Sequence, residues 1–297
     1  MRFLYIFSAW VILLIFSESC KGPDAPKEDR RKKTALETFS IQSAEIIPGI
    51  TNPADIANLL EITAASYQPE LVHDPLDWSE YRNNTLFAAA NFGIYMADAI
   101  YQYAFDMTED AYLSWMASHS LAEVLGFANI FDDVVIKRMQ GELTSKDSLF
   151  HQIDKALKQM GTEYTEIDKF RMYTALLTGN YIEKVHLVMG TLWNNASDIP
   201  EETKLLLHRE LFLVLLGQLE SVKDLISLIE RYETLDDPGF LALELKKIRD
   251  IYYSINISTD NLGQITPEQI INNNRIIALQ NHLENVRNFL IRGVSAE

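Results

Sequence analysis

Residues 84–106, NTLFAAANFGIYMADAIYQYAFD, decide the fold. Wound as a helix at about 100° per residue, they place Asn91, Tyr95, Asp98 and Gln102 in one narrow wedge. Leu86, Ala90, Gly93, Ala97 and Ala104 line a second side, and Phe92, Met96, Ala99 and Tyr103 fill most of the remainder. A helix apolar over most of its circumference is a buried one, and its small residues allow neighbouring helices to approach closely. Crossing a membrane would put Asn91, Asp98 and Gln102 at hydrocarbon depth, where an acid is costly. The stretch is therefore read as the central post of a helical domain.

Composition agrees. Of 297 residues only 12 are Gly and 9 Pro. That is too few for the many tight turns of an all-β fold, and it favours long helices. The expected fold is all-α, a multi-helix bundle of about nine helices. The net charge is −16, which repels phosphate backbones and excludes a nucleic-acid role. One cysteine permits neither an intrachain disulfide nor a cysteine-based zinc site.

Outward from the post, Asn52-Pro53 marks a helix start, followed by Ile56, Leu59, Leu60 and Tyr67 at helical spacing. Residues 68–83, broken by Pro69 and Asp74-Pro75, read as a connection with a short helical turn near Trp78 and Tyr81. Thr108 is the expected cap of the next helix and Gly126 its stop. Further helices are expected over Asn129–Gln140, Ser145–Met160 and Glu166–Trp193, and from Pro200 onward. Within the last of these, Leu205–Leu216 is apolar almost all round and reads as a second buried segment. Phe240–Ile255 follows. Thr266-Pro267-Glu268-Gln269 is a capping box, and the final helix carries Ile276, Leu279, Leu283, Val286 and Leu290 as one stripe.

The N-terminus predicts location. Arg2 precedes an apolar run, Phe3–Phe16, that is too short to span a bilayer and ends near Cys20. This is the layout of a secretory signal, and its end resembles the lipobox of bacterial lipoproteins, in which the cysteine is acylated after cleavage. The expected division is a signal peptide at 1–19, lipidated Cys20 with a flexible tether at 20–33, and a single helical domain at 34–297. Lys21 after the cysteine, by the same resemblance, implies an outer-membrane destination facing the periplasm. Residues 21–33 carry +3, which leaves −19 on the body. A basic tether beneath an acidic body suits anionic headgroups, although a solvated linker has the same composition.

Candidate chemistry is sparse. Gly179, Glu183, His186 and Gly190 share one wedge of the 166–193 helix. Glu-x-x-His is the spacing by which di-iron bundles present ligands, but such a site needs two of these motifs and only one is present. His119 and Glu123 share a face in the wrong order. No metal or other cofactor is expected, and no catalytic residue is identified. Asp98 needs a partner if buried. Arg171 and Lys184 are the candidate cations, and Tyr or Asn side chains the candidate donors. Asn91, Tyr95, Asp98, Glu183 and His186 together form the candidate buried polar or ligand cluster.

The stretches NFGIYMADAIYQYAF, LAEVLGF, FDDVVIKRMQ, KDSL and LLTGNYIEKVHLVMG resemble a family of uncharacterised all-helical lipoproteins of Bacteroidetes-type bacteria, over residues 85–190. Gly93, Tyr95, Ala97, Asp98, Gly126, Gly179, Ile182 and Glu183 match its pattern, while Asn180 and Lys184 depart from its usual glycines. The resemblance implies a fold and a location and no activity. Two functions follow as expectations. The first is a lipid-anchored, non-enzymatic binding or assembly component of the cell envelope, with an envelope protein as partner. The second is a small-molecule binder with its pocket between the 84–106 and 166–193 helices.

Overall fold

In the computed structural model the described residues are 66–130, 132, 145–163, 167–193, 201–233, 239–256 and 265–292. All lie within one unit, Ser40–Glu297. The expected signal, Cys20, the tether, the helix expected from Asn52 and most of the one expected over Asn129–Gln140 fall outside them. Among the described residues the fold is an all-α multi-helix bundle without a strand.

The post is α1, Thr85–Ala104. The Asn84 side chain caps it by accepting from the Leu86 and Phe87 N–H groups, and every residue from Ala88 to Tyr103 is buried. A turn containing Asp106 in the left-handed region (φ 62°) leads into α2, Thr108–Leu125. Thr108 does not cap α2 as expected. Thr108 is the first helical residue, and the cap position falls to Met107, whose thioether side chain offers no cap bond; the tight turn is closed by Met107 N donating to Gln102 O (3.0 Å). Gly126 closes α2 at φ 78°, and Phe127 N returns to Ala122 O at 2.7 Å, a left-handed stop that suits glycine.

Helix α3 is Lys146–Glu163, α4 is Ile167–Trp193 and α5 is Glu201–Glu233. Helix α6 is Phe240–Ser254, α7 is Pro267–Ile271 and α8 is Asn274–Arg292. The Thr266 capping box forms in both directions. The helix it starts is only α7, however, because Asn273 begins a new one by accepting from Arg275 N (2.9 Å) and Ile276 N (3.4 Å). The stripe Ile276, Leu279, Leu283, Val286 and Leu290 is the buried face of α8.

Helix α1 packs chiefly on α4 and α2, α4 also on α5 and α8, and α6 lies against α5 and α8. The second buried rod is α4, fully buried from Tyr173 through Val185. The expectation that Leu205–Leu216 is buried all round is overturned: Leu206 and Leu213 of α5 are exposed at 50% and 39%. Only one side of α5 meets α4 and α6, so its outer leucines have nothing to cover them among these elements.

The α1–α4 contact is made by glycines. A Cβ on Gly93 would overlap Leu176 O and stand 2.7 Å from Asn180 N, and one on Gly179 would overlap Ala90 O. Each glycine therefore presents a Cα hydrogen to a carbonyl of the other helix, a weak but recurrent helix–helix contact. Asn180 Nδ2 also donates to Gly93 O (3.2 Å), and Ser118 Oγ of α2 to Phe92 O (3.3 Å). The pocket expected between the 84–106 and 166–193 helices thus has no room at their crossing, where backbone touches backbone. Replacing Gly93 or Gly179 by Ala meets main chain that cannot rotate away. Each is expected to destabilise the protein by about 3 kcal/mol, the upper end of overpacking costs, read as a lower urea midpoint at unchanged m-value.

Candidate functional site

Residues 66–83 form a strap over one side of the α1/α4 pair. Two short 3-10 turns, Pro69–Leu71 and Pro75–Glu80, shape it, each begun by proline, with Asp74 capping the second through Leu76 N (2.9 Å). The sequence marked this segment only as a connection. It is held down through its backbone. Gln68 N donates to Tyr101 Oη (3.2 Å), Tyr95 Oη to Asp74 O (2.9 Å), and His73 N to Asp98 Oδ2 (3.2 Å). The His73 ring stacks on Tyr95 (centroids 5.0 Å, planes 14° apart), and its Nε2 meets Tyr81 Oη at 2.7 Å.

Beneath the strap lies an acid pair. Asp98 of α1 and Glu183 of α4 have no solvent exposure, and their carboxyls are within hydrogen-bonding reach of each other. The cation that meets them is Arg287 of α8. Its Nε donates to Glu183 Oε2 at 2.5 Å and its Nη2 to Glu183 Oε1 at 2.8 Å, a two-pronged fork. The same Nη2 donates to Leu71 O of the strap at 3.2 Å. Arg171, one of the two cations expected for Asp98, is exposed at the start of α4, and the guanidinium that serves the pair comes instead from the last helix.

Two buried carboxyls facing one guanidinium settle their protons unequally. Burial pushes the Asp98 carboxyl well above the usual carboxylate range, and the neighbouring Glu183 charge pushes it further. Burial would raise Glu183 too, but the Arg287 charge and hydrogen bonds outweigh it and hold Glu183 low. The pair therefore favours Glu183 as the anion and Asp98 as its protonated partner. The proton on Asp98 serves Glu183, its Oδ2 still accepts from the strap, and Oδ1 ceases to be an orphaned acceptor. His73 is kept neutral, first by burial and then by Arg287. Burial raises the phenols of Tyr81 and Tyr95, and that of Tyr101 to about 12, so all three serve as hydrogen-bonding groups and not as bases.

The structure thus brings Tyr95, Asp98 and Glu183 into one network. Asn91 lies elsewhere: its Nδ2 donates to Phe87 O (2.9 Å) and Leu290 O (2.8 Å), binding α1 to the end of α8. Gln102 serves the other neighbour. With its amide oriented to match its surroundings, it donates to Ser114 Oγ of α2 at 2.8 Å. His186 sits one turn past Glu183, where burial lowers its pKa. There it borders a cavity of about 150 Å³ between α4 and α8. Among the described residues no three His, Cys, Asp or Glu side chains are grouped to hold a metal ion.

His73, Tyr81 and Arg287 escaped sequence reasoning. For Arg287 a signal existed, since it lies four residues after Leu283, within the apolar stripe of its helix. No family model, curated protein or solved structure matches the chain.

The proton assignment has a measurable consequence. An unfolded Asp releases its proton above about pH 4, whereas folded Asp98 holds its proton to higher pH, so between the unfolded and the raised folded value stability falls as pH rises, by up to about 1.4 kcal/mol per unit. Glu183 acts oppositely: its contribution is present above its unfolded value and is lost as pH falls through its lower folded value. Asp98→Asn reproduces the neutral acid's shape and donor. It is expected to be more stable than wild type at pH 8, with the margin closing towards pH 4, in urea titrations. Arg287→Met strands a buried carboxylate and is expected to cost about 3–5 kcal/mol at pH 7.

Proposed function

We propose that the protein is a lipid-anchored, non-enzymatic helical module of the cell envelope, acting as a binding or assembly component on the periplasmic side of an outer membrane. The observation that carries this reading is the order of segments at the start of the sequence: a charged start, the apolar run Phe3–Phe16, Cys20, and then a polar basic tether. Acyl chains on one cysteine suffice for stable attachment when more than one is added. Among the described residues no helix is long and apolar enough to cross a membrane, so in this reading attachment falls to Cys20.

The polar cluster supports a binding role over a chemical one. Its groups are spent on one another and on the strap backbone. The tyrosines hold their protons too tightly to act as bases, His73 Nε2 is taken up by Tyr81 Oη, and the strap lies over the acid pair. Partners are expected to be other envelope proteins, met by the −19 body and reached by the tether.

The test is Cys20→Ser in the native cell type. The wild-type chain is expected to enter the detergent phase on Triton X-114 separation and to incorporate labelled fatty acid. The variant should do neither. A variant that stays in the membrane fraction overturns the anchor. Crosslinking and pull-down of the lipidated chain addresses the second half: a strictly monomeric protein that retains no partner counts against the assembly role.

A further inference from the structure

The cavity beside His186 is not used by the network just described. It lies between α4 and α8, and the strap closes one side of it through Leu71. Leu71 packs into a notch left by Gly190, where an added Cβ would run into its methyl groups. Met189 and Leu283 complete an apolar wall, and both are buried. At about 150 Å³ it matches cavities that admit one benzene-sized group. Trp193, Gln280 and Glu284 are half-buried at its border.

The charges on this border are one-sided. Among the described residues Glu284 is the acid that lines the cavity, and no Lys or Arg lines it. Gln280 Nε2 donates to Glu284 Oε1 at 3.1 Å, which fixes the carboxylate there. His186 is neutral at physiological pH because burial lowers its pKa. Among the described lining residues an anion would meet no cation, and a bare metal ion would find one carboxylate and one imidazole, too few donors to hold it. A cation with an apolar shell suits every wall. Its charge faces the Glu284 carboxylate and the Trp193 ring, and its methyl groups face Met189, Leu71 and Leu283.

We propose that the cavity bounded by Leu71, Met189, Gly190, Trp193 and Glu284 is a binding site for a small alkylammonium group of trimethylammonium size. The group could arrive on a free amine or on a lipid headgroup. The site does not depend on the membrane anchor, so loss of either idea leaves the other standing.

Equilibrium dialysis of the full-length chain, in a non-ionic detergent, against isotope-labelled choline tests it. Choline should bind saturably, and tetramethylammonium should displace it. The uncharged isostere 3,3-dimethyl-1-butanol should compete at least tenfold more weakly. Glu284→Gln should weaken choline at least tenfold, while Glu220→Gln on the exposed side of α5 leaves it unchanged. Absence of saturable binding, equal competition by the neutral isostere, or undiminished binding by Glu284→Gln overturns the proposal. If Glu284→Gln loses its cooperative thermal transition, the wild-type comparison of charged and neutral isosteres decides alone. Flotation of the Cys20→Ser chain with phosphatidylcholine, but not phosphatidylglycerol, vesicles identifies a headgroup as the source. Choline binding without such flotation identifies a free cation, and both results support the site.

Discussion

The contact on which the structure depends is the crossing of α1 and α4 at Gly93 and Gly179. Two helices usually stand 8–10 Å apart, held off by their side chains. Here the carbonyls of Ala90 and Leu176 occupy the space a Cβ would need. That closeness sets the position of Asp98, five residues beyond Gly93, against Glu183, four beyond Gly179. With larger residues at the crossing the two carboxyls would stand farther apart and each would need its own counter-charge. The glycines thus bring the acids together, and Arg287 with one proton makes the meeting tolerable.

From the acid pair the order spreads outward through the main chain. Glu183 orients Arg287, Arg287 grips the carbonyl of Leu71, and Asp98 takes the N–H of His73. Between them these bonds fix both ends of a three-residue piece of the strap. A buried ion pair adds little net stability over a well-packed apolar alternative. What this one supplies is placement, because it specifies which backbone atoms of an otherwise irregular segment lie over the core.

Much of this was legible in the sequence, for reasons that follow from periodicity. The wedge of Asn91, Tyr95, Asp98 and Gln102 was readable because helical geometry relates residues three, four and seven apart, and all four side chains are buried. The glycines of α1 and α4 were readable as notches, Gly126 as a stop and Thr266 as a cap. The illegible parts are those set by distant chain. Arg287 meets Glu183 from 104 residues away and Leu71 from 216, and no local pattern encodes such a meeting. Asn91 was grouped with Asp98 because the two share a helix face, yet it pairs with Leu290. Along a helix face, neighbours nearly 11 Å apart (seven residues at about 1.5 Å each) can serve different partners. The exposed Leu206 and Leu213 show the converse limit. An apolar run fixes a helix but does not say how much of its circumference finds cover.

The fork from Arg287 also fixes an order of events during synthesis. When the ribosome has made everything through α4, both carboxyls exist and α1 and α4 can pair, but the residue that neutralises them is still more than ninety codons away. Until α8 emerges, a chain that closes its core must carry an extra proton or leave the two helices apart. The nascent body thus waits on its last helix, and the Leu71 carbonyl, among the first described parts to be made, is among the last to find its donor.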